Sequence, residues 1–173
     1  PVRNVDEANI LWHDRIGYCT LNAKNSGSEA MKKVLILAEA YGVPSKVTDP
    51  FESHIIQHSK KITPEKRTEF IENLENILKI TTPAWGRLMT WSEIRQIHQQ
   101  GHEIGSHSMT HALMPQCVDQ DLKYEIVESR KRLESELDAD VTSFCYPNGD
   151  YDARAIETVL QAGYRNAVTT KWG

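Results

Sequence analysis

A chain of 173 residues, 39% hydrophobic and 25% charged, has the composition of an ordinary globular protein and the length of one domain. Its net charge of -4 gives no basic field for a phosphate backbone or an anionic membrane, so nucleic acid is not an expected partner. Cys19, Cys117 and Cys145 are widely spaced, odd in number and form no C-x-x-C, which argues against a disulfide framework or a thiolate zinc site.

No stretch approaches the roughly 20 apolar residues of a membrane helix. The stretch 1–7 carries charge with no apolar run behind it, so no signal peptide is visible, and the location stays open between cytoplasm and cell envelope or export.

Residues 1–27 combine a polar start, the aromatic and apolar segment 10–16, and a loop rich in Asn, Ser and Gly. Ser26 and Glu29 have capping-box spacing ahead of Met31, Val34, Leu35, Leu37 and Ala38, and Gly42 with Pro44 supplies a stop, predicting a helix over 28–41. Residues 43–62 show no sustained period and contain His54 and His58. Thr63-Pro64 then opens the clearest amphipathic helix, with Phe70, Ile71, Leu74, Ile77 and Leu78 on one face. Thr90 and Glu93 box a short helix carrying Ile94 and Ile97 that Gly101 ends.

Beyond Gly101 the pattern changes to short strands separated by helices. These are a strand over 103–106, a helix near 119–138 with Leu122, Ile126, Leu133 and Leu137 on one face, a strand over 141–146, a helix near 153–162 and a strand over 164–170. Such alternation predicts parallel pairing through crossovers, hence an α/β layer or barrel.

Three of the seven histidines lie in the run Gly101-His102-Glu103-Ile104-Gly105-Ser106-His107-Ser108-Met109-Thr110-His111. On a helical turn, His107 and His111 would point the same way and could grip one divalent ion. Spacing alone also fits surface or core histidines, and His102 reads as a buried structural residue satisfying backbone groups. The run Ser143-Phe144-Cys145-Tyr146-Pro147-Asn148-Gly149-Asp150 comes after one crossover helix, and Pro-Asn-Gly-Asp is by itself a strong turn signal.

In this order, Met89-Thr90-Trp91-Ser92-Glu93-Ile94 with G-H-E-I-G-S-H-S-x-T-H, followed by F-x-Y-P-x-G, resembles the second and third motifs of the NodB-homology polysaccharide deacetylases. The run 162–170 looks like the next strand of that family, while Leu11-Trp12-His13-Asp14-Arg15 is a looser match to a W-W-D-x-L stretch of some members. The resemblance is strongest over 85–173, and 1–173 reads as one domain of this type.

The resemblance implies a partial or distorted (β/α) barrel and metal-dependent removal of N-acetyl groups from a carbohydrate. It implies that His107 and His111 bind a divalent ion, commonly zinc, and that Ser108 shapes their loop. Tyr146 and Pro147 would then wall the pocket, and the backbone N–H of Asn148 would face the oxyanion. The commoner family pattern has an arginine where Cys145 stands, which orients a catalytic aspartate, and a tyrosine where Asn148 stands.

The family's first motif, T-F-D-D-G, supplies the base and a third ligand, and nothing like it occurs in the sequence. A C-terminal histidine motif is also missing, so the chain reads as the middle of the domain. Asp6 and Glu7 are poor substitutes for the missing ligand, and Asp150 and Asp152 fit turn and cap positions better.

Two other readings remain open: a remnant of the fold that binds carbohydrate or a partner without turnover, and a metalloenzyme of another α/β hydrolytic family. The exposed strand edges of an incomplete barrel also predict a homo-oligomer.

Overall fold

A computed structural model describes all residues except 45–49, 82–85 and 171–173. The parts of the expected strong match that fall on 85 and 171–173 therefore lie outside the described residues.

The helices in chain order are α1 (Val2–Asp6), α2 (Trp12–Ser26), α3 (Ser28–Ala40), α4 (Phe51–Ser59), α5 (Pro64–Leu78), α6 (Trp91–Gln99), α7 (Asp119–Lys123), α8 (Ser129–Leu137) and α9 (Ala153–Gln161). A π-helical turn, Tyr124–Glu128, joins α7 to α8. The strands are β1 (Ser143–Cys145) and β2 (Asn166–Val168). The described residues divide into two compact units, Ile10–Arg87 and Pro1–Asn9 with Leu88–Gly173.

The unit Ile10–Arg87 is all-helical among its described residues, with α2 packed on α3, α4 and α5. Its core joins Ile16, Cys19 and Ala23 of α2 to Val34 and Ala38 of α3, Phe51 and Ile55 of α4, and Phe70, Ile71 and Leu74 of α5. Thr63 caps α5 through Lys66 N–H, with Pro64 in the first turn. A two-pronged Arg15–Glu75 pair ties α2 to α5 at 2.8 and 2.7 Å. Arg67 is buried and lies 4.5 Å from the centroid of the Trp12 ring.

The sequence pattern misses α2 because its buried positions are Ile16, Cys19, Thr20 and Ala23, three of them small. It misses α4 because Phe51, Ile55 and Ser59 give the inward stripe only two large apolar residues. The expected Ser26–Glu29 box does not form, since Ser26 ends α2 and Gly27, at φ 99°, separates the two helices.

The second unit holds the α/β part. In α6 both arms of the capping box are present: Thr90 Oγ1 accepts from Glu93 N–H, and Glu93 Oε2 accepts from Thr90 N–H. β1 and β2 pair in parallel through α9, with Phe144 opposite Ala167. Ser106 bridges the other side of β1 opposite Phe144, accepting from Cys145 N–H and donating its own N–H to Ser143, both at 2.8 Å.

The expected strand 103–106 is therefore reduced to a single bridging residue, and 141–146 and 164–170 contract to three residues each. The parallel, helix-connected order holds, while the described strands make a small sheet within a helix-rich chain. Phe144, Tyr146 and Tyr164 share one buried cluster with Leu122, Ile126, Leu133, Val141 and Val159.

Candidate metal centre

Ser106 begins the site. Its hydroxyl, fully buried, lies 2.8 Å from that of Ser129 on α8, and Ser129 Oγ donates to the Ile126 carbonyl in the π-turn. This anchors the chain as it leaves the sheet and enters the histidine segment.

His107 and His111 come together, with ring centroids 4.8 Å apart and planes inclined at 74°. His107 Nδ1 lies 2.8 Å from the Cys145 carbonyl oxygen. A carbonyl only accepts, so Nδ1 carries the proton, and in the neutral ring the lone pair then resides on Nε2, the arrangement of a metal-binding imidazole held by a backbone acceptor.

Residues 107–111 are not helical, contrary to the one-turn geometry expected from their spacing. Ser108 and His111 have φ of 64° and 63°, in the left-handed region, and a right-handed helix cannot contain them. Each such residue costs about 1–3 kcal/mol and persists only where its surroundings determine it.

Five hydrogen bonds do so here. Ser108 Oγ, fully buried, accepts from His111 N–H at 3.0 Å. The Ser108 and Met109 carbonyls accept from Val2 and Arg3 N–H at the start of α1. Glu125, 4% exposed, accepts from Thr110 N–H at 2.9 Å and from Thr110 Oγ1 at 2.6 Å. Glu125 is absent from the sequence-based site. Its signal is an inward register, three residues after Leu122 and one before Ile126, where a buried face would otherwise be apolar.

The Cys145 carbonyl that orients His107 belongs to the residue before Tyr146, so the third-motif loop starts beside the histidine pair. Tyr146 and Pro147 are buried, and the Tyr146 ring packs on Phe144 and Tyr151 at 5.2 Å each. Burial raises the Tyr146 hydroxyl above its ordinary pKa, aided by Tyr151. Asn148 is exposed with φ 59°, and its side-chain amide donates to Asp150 at 2.5 Å. The Asn148 and Gly149 carbonyls accept from the hydroxyls of Thr170 and Thr169.

His102 is exposed rather than buried. Asp6 is engaged by Arg132 and by Trp91 Nε1 at 2.8 Å, and the Arg132 hydrogen bond holds its carboxyl below the usual range. Asp152 caps α9 through Ala155 N–H. His54 and His58 form a second pair on α4, with ring centroids 4.4 Å apart.

Imidazole nitrogens are among the ligands of tetrahedral zinc sites, and the His107 and His111 rings are close enough for one nitrogen of each to share an ion. Among the described residues, no group of three or more His, Cys, Asp or Glu side chains is placed to hold an ion.

The polysaccharide deacetylase family model matches residues 51–167, well over half of the chain. Over 85 residues the chain is 26% identical to YxkH of Bacillus subtilis strain 168, a protein with polysaccharide deacetylase in its name, covering 49% of this chain and 30% of that protein. Over 75 residues it is 28% identical to a peptidoglycan-N-acetylglucosamine deacetylase of Bacillus cereus, covering 43% of this chain and 35% of that one. The chain thus spans about a third of the length of these relatives.

Among solved structures, the Streptococcus pyogenes deacetylase PplD in complex with acetate has a TM-score of 0.49 at 22% identity, covering 50% of this chain and 38% of that one. The Bacillus cereus polysaccharide deacetylase BC0361 has a TM-score of 0.47 at 27% identity, covering 50% and 27%. The match over 51–167 establishes that the chain belongs to the polysaccharide deacetylase family.

Proposed function

We propose that this chain carries the metal-holding part of a hydrolase that removes N-acetyl groups from a carbohydrate such as an N-acetylglucosamine-containing polysaccharide, within a (β/α) barrel of the NodB type. The observation that carries the proposal is the pairing of His107 and His111 at 4.8 Å, with His107 locked in the metal-binding tautomer by the Cys145 carbonyl. Family membership supports the reaction class.

His107 and His111 would hold a divalent ion, zinc by expectation. When bound, the ion supplies Lewis-acid polarisation of an amide carbonyl and a lowered pKa for its water. Ser108 holds His111 in place through its backbone N–H. Tyr146 and Pro147, both buried, would wall one side of the pocket, and the Asn148 backbone N–H, on the left-handed turn that follows them, would donate to the developing oxyanion.

A proton acceptor for the attacking water is still required, and none is assigned among the described residues. That gap supports the second reading, in which the fold binds carbohydrate without turnover. Acetate release from an N-acetylglucosamine oligomer, measured with zinc and after chelation, separates them. Zinc-dependent release that His107→Ala abolishes supports the hydrolase, whereas binding of the oligomer with no acetate released supports the second reading.

A further inference from the structure

We infer that Glu125 is a positioning residue for the histidine pair, acting through Thr110 to hold the 107–111 loop in the shape that lets both imidazoles meet one ion. This inference rests on the metal reading of His107 and His111 and extends it to a residue that touches neither ring. Glu125 is 4% exposed, and a carboxyl group is seldom buried to that degree unless its oxygens are satisfied. Here both are used: Oε2 accepts the Thr110 backbone N–H at 2.9 Å and Oε1 accepts the Thr110 hydroxyl at 2.6 Å.

Thr110 stands between the two left-handed residues Ser108 and His111 and is bonded directly to His111. Its backbone N–H is therefore fixed at the point where the chain must turn to bring the second ring back to the first. Ser108 Oγ determines the turn from within the loop, and Glu125 determines it from the helix below.

The π-turn Tyr124–Glu128 is part of the same device. An i→i+5 turn adds a residue to the helix and shifts the register of the residues after it, and such turns recur at functional sites. Glu125 lies within this turn, and Ser129, just after it, meets Ser106, the residue before His107. Both ends of the histidine segment are thus gripped from one helix: Ser106 by Ser129, and Thr110 by Glu125.

The chemistry distinguishes the possible substitutions. In Glu125→Gln the amide oxygen can accept the Thr110 N–H while the amide N–H donates to the Thr110 hydroxyl, so both bonds survive. Glu125→Leu loses both, and Thr110→Val loses one from the other side.

Zinc affinity is measured by calorimetry on the full chain in a His54→Ala, His58→Ala background, with thermal melting alongside. Loss of such an outer partner is expected to weaken metal binding about 10- to 100-fold. Glu125→Leu and Thr110→Val should each do so, the double variant should be no weaker than the worse single one, and Glu125→Gln and Thr110→Ser should bind within about threefold of the parent.

If Glu125→Leu fails to fold, the Thr110→Val and Thr110→Ser comparison decides. Parent-like affinity in Thr110→Val, or in a folded Glu125→Leu, overturns the positioning role while leaving the histidine site intact. Failure of the parent to bind zinc, or binding indifferent to His107→Ala, overturns both.

Discussion

Gly149→Ala tests the loop next to the histidine-bonded carbonyl. Gly149 has φ 74°, and a Cβ there would overlap Thr170 Oγ1 and sit 2.6 Å from Thr170 N. The left-handed backbone alone disfavours alanine by about 1–2 kcal/mol. The Thr170 hydroxyl can rotate away, losing its hydrogen bond to the Asn148 carbonyl, worth about 1 kcal/mol. The Thr170 backbone nitrogen has no such freedom, so the segment after β2 must shift.

Together these give a loss of about 2–4 kcal/mol in unfolding free energy, among the larger effects of a single substitution. Gly163→Ala is the control: its φ is 85°, but the overlap is with the Arg130 guanidinium, the end of a flexible side chain. It should lose only about 1–2 kcal/mol, chiefly from the backbone. Urea unfolding monitored by circular dichroism, with slopes compared to ensure two-state behaviour, gives both values. A Gly149→Ala loss below that of Gly163→Ala would refute the clamp between the Asn148–Gly149 turn and Thr170.

The Asp152 carboxyl is held below the ordinary carboxylate range by the Ala155 N–H and then by Arg154. A lowered folded pKa means its stabilisation is present above about pH 4 and is lost as pH falls through the folded value. The stability gap between the parent and Asp152→Ala, about 0.5–2 kcal/mol at pH 6 for a lost cap, should therefore narrow toward pH 2. A gap independent of pH would contradict the assignment.

Burial raises the thiols of Cys19 to about 12 and Cys117 to about 11. Both should react slowly with a disulfide reagent at pH 8 in the folded chain and quickly in urea, and unfolded-state rates in the native protein would refute this. All three residues of β2 are exposed, as is Leu160 on α9. Light scattering is expected to report a dimer at micromolar concentration, and a clean monomer would contradict it.

The residues that announced themselves in the sequence are those whose local chemistry suffices. Thr90 with Glu93 and Thr63 with Pro64 cap helices through contacts within one turn, so their spacing specifies the element. The parallel β1–α9–β2 order was legible for a similar reason, since Asp152 starts α9 and Gly163, at φ 85°, comes just after it.

The features that stayed hidden depend on partners distant in sequence. α2 buries small residues whose contribution appears only against α3, α4 and α5, and Glu125, although in register with Leu122 and Ile126, has a role that appears only once Thr110 is found bonded to it. The H-x-x-x-H spacing suggested a helix because i, i+4 is the helical repeat. The pairing is instead produced by two left-handed residues and five supporting hydrogen bonds, none readable from the H-x-x-x-H spacing.

Titrating zinc into the chain by calorimetry reads out the histidine pair itself. The His54→Ala, His58→Ala background removes the second histidine pair, which could take up metal on its own. One ion should bind per chain, through His107 and His111, and be lost when either is changed to alanine. Stoichiometric binding that survives both substitutions would contradict it.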